Sequence, residues 1–211
     1  MIVARQSRRM SASPARADDA GRRSAQRGVT LIEVMVVLGI AAVLLAFGVP
    51  ALQEFASRSR LDGAARELMT SLQVARSEAM RRGAQVTVRL SGTAGSRNWS
   101  GGWTMFVDAN GNGSLDMGEE VIREGMALPA QLTLYGSASF ATFMAFNRDG
   151  GLTNAGGGYL VLCQGGALTE GGRSRSRAVL VNGAGRVRMA ALDSSNVPVA
   201  DAGVLTSCTN P

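Results

Sequence analysis

From Val29 to Pro50 the sequence runs 22 residues with a single charge, Glu33. As a helix this run spans roughly 33 Å, enough for the hydrocarbon core of a bilayer. Seven arginines precede it (Arg5, Arg8, Arg9, Arg16, Arg22, Arg23, Arg27) against Asp18 and Asp19. Positive flanks stay on the cytoplasmic side, so everything after about residue 50 is expected in the periplasm. The same flank distorts the charge balance. Of the net charge of +6, the first 28 residues carry +5, so a basic whole chain is no evidence that the remainder binds nucleic acid.

Two kinds of processing fit an N-terminal apolar run. A secretory signal would be cut after it, and Ala46-Phe47-Gly48 is a weak match to such a site. The run continues without a break into further helical pattern, which argues against that cut. The residues before the run point elsewhere. Arg27-Gly28-Val29-Thr30-Leu31-Ile32-Glu33-Val34 resembles the type IV prepilin cleavage motif, in which a basic leader ending in Gly precedes a Thr-Leu-Ile-Glu core. The resemblance implies that a prepilin peptidase cuts after Gly28 and that the new N-terminus, Val29, is methylated. Such chains usually begin with Phe, so Val29 is a departure. Glu33 then becomes the fifth mature residue and Pro50 the twenty-second, where the family has its Glu and a helix-kinking Pro. A carboxylate in an apolar span costs up to about 3 kcal/mol unpaired, so Glu33 is read as functional in filament assembly, its partner the freed α-amine of a neighbour. Pro50 removes one helix hydrogen bond and is expected to bend or loosen the helix.

Beyond Pro50 the pattern is amphipathic. Leu52, Phe55, Arg58/Ser59, Leu61/Asp62, Ala65, Leu68, Leu72, Ala75 and Ala79 recur every three or four residues, with the stripe interrupted by polar residues at 58/59, and Arg82-Gly83 is a stop signal. A helix over about 30–82 would be near 80 Å long. From residue 84 the period becomes two: Val86, Val88 and Leu90 alternate with Gln85, Thr87 and Arg89, a half-buried strand. Further strands are expected at Trp103–Val107 and Glu120–Arg123, paired as a hairpin, then at Leu132–Tyr135, Ser139–Phe146, Tyr159–Cys163, Ala178–Val181 and Arg186–Met189. The expected organisation is a removed leader over 1–28, a transmembrane half-helix over 29–50, an amphipathic half-helix over 51–83 and a periplasmic β-rich domain over 84–211. The fold class is α+β, a long helix packed on mostly antiparallel sheet. Gly102-Trp103-Thr104-Met105-Phe106-Val107-Asp108, Asn110-Gly111-Asn112-Gly113, Phe146-Asn147-Arg148-Asp149-Gly150, Cys163 and Gly185-Arg186-Val187-Arg188 resemble the GspH/FimT family of minor pilins and pseudopilins.

Three groups of residues are candidate sites. Cys163 and Cys208 are expected to pair in an oxidising periplasm, closing a loop of about 45 residues worth roughly 4 kcal/mol. Asp108, Asn110, Asn112, Gly113, Asp116 and Glu119 fit the spacing of an EF-hand Ca²⁺ loop. Asn-Gly repeats between strands are also hairpin turns, and the flanks here read as strands, so the turn is the preferred reading. Arg173, Arg175, Arg177, Arg186 and Arg188 form an acid-free cluster, with Arg186 and Arg188 two apart on one strand face. Guanidinium groups beside a Gly-rich turn suit phosphate. In the FimT branch a Gly-Arg-x-Arg motif is associated with DNA binding in natural transformation. The resemblance therefore implies double-stranded DNA as a ligand, bound through its backbone. The alternatives are a solvated face or a pilin–pilin contact. The chain has no His, and no nucleophile–base pair is visible, so an enzyme is not expected. No cofactor is called for, Ca²⁺ apart. The implied partners are prepilin peptidase, other pilins or pseudopilins and the inner membrane. The implied role is a minor pilin of a type IV pilus, with a type II secretion pseudopilin as the alternative.

Overall fold

In a computed structural model of the chain the described residues are 28–153, 156–201 and 203–209; the expected leader over 1–28, its last residue Gly28 apart, lies outside them. They fall into two compact units that divide between Phe47 and Gly48. One helix, α1 (Leu31–Arg82, 52 residues), belongs to both and runs through Pro50 without interruption.

In the first unit α1 begins behind Thr30. The Glu33 amide donates to Thr30 Oγ1 at 3.3 Å and the Val34 amide to the Thr30 carbonyl at 3.2 Å. This is half of a capping box, which satisfies a helix-start amide that otherwise has no partner. The apolar window of this stretch is long enough to cross a membrane, and none of it is buried within the chain.

In the second unit α1 buries Leu61, Ala65, Leu68, Ser71, Leu72, Ala75 and Ala79, the spacing expected of one helical face. The stripe expected from Leu52 does not start there: Leu52 and Phe55 are 68% and 73% exposed, and burial begins only at Leu61. Gly83, at φ +64°, ends the helix, and the Ala84 amide bonds back to the Ala79 carbonyl at 3.3 Å.

The helix face is covered by two four-stranded antiparallel sheets. The first, in order β3-β2-β1-β5, comprises β1 (Val86–Leu90), β2 (Trp103–Val107), β3 (Val121–Gly125) and β5 (Phe143–Phe146). The second, in order β10-β9-β6-β4, comprises β4 (Leu132–Gly136), β6 (Gly157–Gln164), β9 (Ser176–Asn182) and β10 (Val187–Met189). The expected strand over 139–146 is shorter, because Ala138–Phe140 is a 3₁₀ turn. Thr87 is also fully buried, contrary to the half-buried reading of β1, because its hydroxyl is used inside the fold.

β6 and β9 bury both faces. Leu160, Leu162, Val179 and Val181 join the core under α1. Val161, Cys163, Ala178 and Leu180 pack instead against Ala190, Ala200, Leu205 and Cys208. That second layer carries a small sheet the sequence reading missed: β11 (Ala191–Leu192), β12 (Pro198–Ala200) and β13 (Gly203–Val204). The remaining pair, β7 (Thr169–Glu170) and β8 (Arg173–Ser174), forms a short hairpin between β6 and β9.

Candidate functional site

The arginines that cluster in sequence do not cluster in space. In β9–β10, Arg188 lies opposite Leu180 and Val187 opposite Val181. Directly opposed residues share a sheet face, so Arg188 lies on the Leu180 face, away from α1. Arg177 has the other parity on β9, the face of Val179 and Val181, and its Nε meets Asp62 of α1 at 2.7 Å. Arg173 reaches Glu54 of α1 at 3.6 Å, and Arg175 pairs with Glu170 at 2.6 Å. Glu54 is held below the usual carboxylate range first by its hydrogen bond from Arg58, then by the charges of Arg58, Arg173 and Arg175. Arg173 and Arg177 are therefore tied to α1, and Arg175 to Glu170 of the short β7–β8 hairpin. Arg186 and Arg188 remain two residues apart and exposed, Arg188 on the edge strand β10 and Arg186 just before it, while Val187 and Met189 pack toward the core.

The turn before them is sharply built. The Gly185 amide donates to the Asn182 carbonyl and the Arg186 amide to Asn182 Oδ1, each at 2.8 Å. Gly185 sits at φ +73°, and a Cβ there would collide with the Gly150 carbonyl oxygen. That oxygen accepts a bond from Arg76 Nε of α1 at 2.9 Å. The loop Asn147–Gly151 thus stacks on the Gly183–Gly185 turn, and the Leu152 amide donates to the Gly183 carbonyl at 2.9 Å. The Gly of Gly-Arg-x-Arg is required by packing, and the arginines are presented by it. Arg188 pairs with Asp201 of the β12–β13 turn, whereas Arg186 has no ion pair among the described residues. Tyr159 lies on the same sheet face, opposite Leu180, beside a groove walled by Gly156–Gly158. Sequence reasoning missed this aromatic because β6 is far from the motif in the chain.

The Asp108 loop is a closed turn. Asp108 is 2% exposed, and its carboxylate accepts from Gln85 Nε2, the Thr87 hydroxyl and the Gly111 and Gly113 amides at 2.7–3.0 Å. Asn110 and Asn112 both donate side-chain amides to Asp116 at 2.7 Å, which holds its carboxyl below the usual range. Glu119 accepts from the Ala109 and Asp116 amides at 2.9 Å. The flanks are β2 and β3, not the helices of an EF-hand. Every side chain of the Ca²⁺ pattern already serves the turn.

Cys163 and Cys208 form a disulfide with Cα atoms 6.0 Å apart. It fastens the end of the second layer to β6. Gly28 and Val29 precede α1 and are exposed, and Glu33 stands exposed in its first turn. The Thr30-x-x-Glu33 spacing was also legible as a helix start, and Thr30 fills that role by accepting from the Glu33 amide.

Comparison with known proteins fits this arrangement. Residues 64–185 match the family described as type II transport protein GspH, and residues 23–49 match the prokaryotic N-terminal methylation motif. The chain is 45% identical over 95 residues to the pilin-like protein PilA1 of Thermus thermophilus, covering 45% of this chain and 56% of that one. It is 56% identical over 36 residues to prepilin peptidase-dependent protein D of Escherichia coli, covering 17% of this chain and 25% of that one. The chain thus spans little more than half of the first curated relative and a quarter of the second. The crystal structure of the type IV minor pilin FimU of Pseudomonas aeruginosa matches with a TM-score of 0.51 at 25% identity, over 73% of this chain and 98% of that one. With more than half of its length matched by one family and its N-terminus by the methylation motif, the chain belongs to the GspH family of minor pilins and pseudopilins.

Proposed function

We propose that the chain is a minor subunit of a type IV pilus, held in the inner membrane by its N-terminal helix until it joins a filament with other pilins. The observation that supports this most is the stretch 31–47, which is helical, apolar and unburied within the chain. An apolar surface of that extent calls for lipid or like helices around it. In this reading a prepilin peptidase cuts after Gly28, Val29 is methylated, and the amine of one subunit neutralises Glu33 of a neighbour. Pro50 leaves the Ala46 carbonyl without its helical donor, a place for the helix to bend during assembly. Mass spectrometry of native protein should find a chain starting at methylated Val29. An intact leader, or a cut after Gly48, would end the reading. Glu33→Ala should leave membrane insertion intact and impair entry into the filament.

The exposed pair Arg186 and Arg188 is the part of this reading that concerns a ligand. Two guanidinium groups at the start of an edge strand, beside a glycine-walled groove, suit the backbone of double-stranded DNA. Binding through two phosphate contacts is sequence-blind and weakens with salt, with a slope in log K against log salt of about −1.8 from this pair. Replacing both arginines with Gln should abolish the gel shift given by the native chain; equal retention by both forms removes DNA as the ligand.

A second reading, a type II secretion pseudopilin, draws support from the family description of residues 64–185. Likeness to FimU and the arginine pair favour the pilus. Deleting the gene separates them, since one reading expects loss of pili and the other loss of protein export.

A further inference from the structure

The segment Gly125–Pro129, which links β3 to β4, stands off from α1 and leaves a cavity of about 350 Å³. Trp99, Leu162 and Leu68 form its interior, Trp103 one wall, and Arg60 and Glu67 of α1 its mouth. Both tryptophans of the chain are therefore here. Trp99 has already used its ring N–H on the Phe140 carbonyl at 2.9 Å, so it presents carbon to the cavity. Glu67 is compensated: Arg123 lies 3.7 Å from its carboxylate and 5.9 Å over the Trp103 ring. Arg60 is not, having no ion pair among the described residues.

We infer that this cavity binds a small aryl or alkyl carboxylate, its apolar body against Trp99 and Trp103 and its carboxylate on Arg60. The volume falls within the range of small-molecule pockets. An apolar interior with one charged group at the rim selects an amphiphile. A lone planar guanidinium matches a carboxylate in a bidentate pair, where a doubly charged phosphate would call for a second cation. This site is separate from the Arg186–Arg188 face and does not depend on the DNA reading.

The test is a titration of the full chain in nonionic detergent with 4-phenylbutyrate, read by tryptophan emission, which reports this cavity alone. Saturable change is expected with a dissociation constant on the order of 1 mM or tighter. Arg60→Gln should weaken it about tenfold, and uncharged 4-phenylbutanol should bind the native chain about as weakly. Arg123→Gln, which frees Glu67 to repel the ligand, should also weaken it. Ala64→Phe should fill the cavity and remove binding. Arg60 is exposed, so its variant folds normally and keeps the test decisive even if Ala64→Phe does not fold. The inference is overturned by a linear, unsaturable signal, by equal binding to the Arg60→Gln form, or by equal affinity for the alcohol.

Discussion

Replacing Gly185 with Ala tests whether the glycine of the Gly-Arg-x-Arg segment is there for packing. Two costs combine. A φ of +73° carries about 1–2 kcal/mol for a residue with a Cβ. The new methyl also meets the Gly150 carbonyl oxygen, which is backbone and cannot rotate away. Moving it sacrifices the bond from Arg76, a charged donor worth about 1.5–3 kcal/mol. The expected loss is about 3–5 kcal/mol. Gly165 is the control, since its φ is +62° but open space surrounds it, so Gly165→Ala should cost only about 1–2 kcal/mol. Urea denaturation followed by circular dichroism should place the Gly185→Ala midpoint about 1–2 M below the control. Midpoints within the scatter of each other would refute the steric argument, and with it the claim that this glycine positions the arginines by fit.

Three further outcomes are expected. Leu72→Ala, at a fully buried position of α1, should cost about 3–5 kcal/mol in the same assay. Glu78 is held down to about 2 by hydrogen bonds from Arg81 and Arg82, and Arg82 in turn clamps Glu120 at 2.6 Å. A depressed folded pKa stabilises above the unfolded value near 4.5 and is lost as pH falls toward 2. The native chain should therefore outlast Glu78→Gln by a constant margin between pH 5 and 8, a margin that closes between pH 4.5 and 2; a margin independent of pH would refute the clamp. On the DNA reading, Asp201→Asn should tighten binding several-fold by releasing Arg188, and an unchanged gel shift would show that the pair does not compete with phosphate.

What the sequence made legible was local. The helix could be read almost to the residue, because Thr30 and Gly83 bracket one apolar span and one amphipathic stripe. Hairpins were legible where turn chemistry sat between alternating residues, as at Asn182–Gly185. Contacts made far along the chain were not. The acids that claim Arg173 and Arg177 are Glu54 and Asp62 on α1, so an arginine run that seems acid-free is divided once the sheet packs on the helix. Alternation also fails for β6 and β9, whose two faces are both covered, which hid the second layer and its small sheet. Leu52 and Phe55 fit the helical period perfectly and still lie outside the domain core, because periodicity gives a face and not what covers it.

The disulfide also decides how the chain fails when cut. Residues 163 and 208 close a covalent ring that contains the β7–β8 tip, the β9–β10 hairpin and Asp201. The exposed Gly171-Gly172 turn inside that ring is a natural place for a protease to nick. A nicked chain would stay in one piece, its arginine hairpin still anchored through sulfur, and would run at full size on a gel until a reducing agent released the fragments.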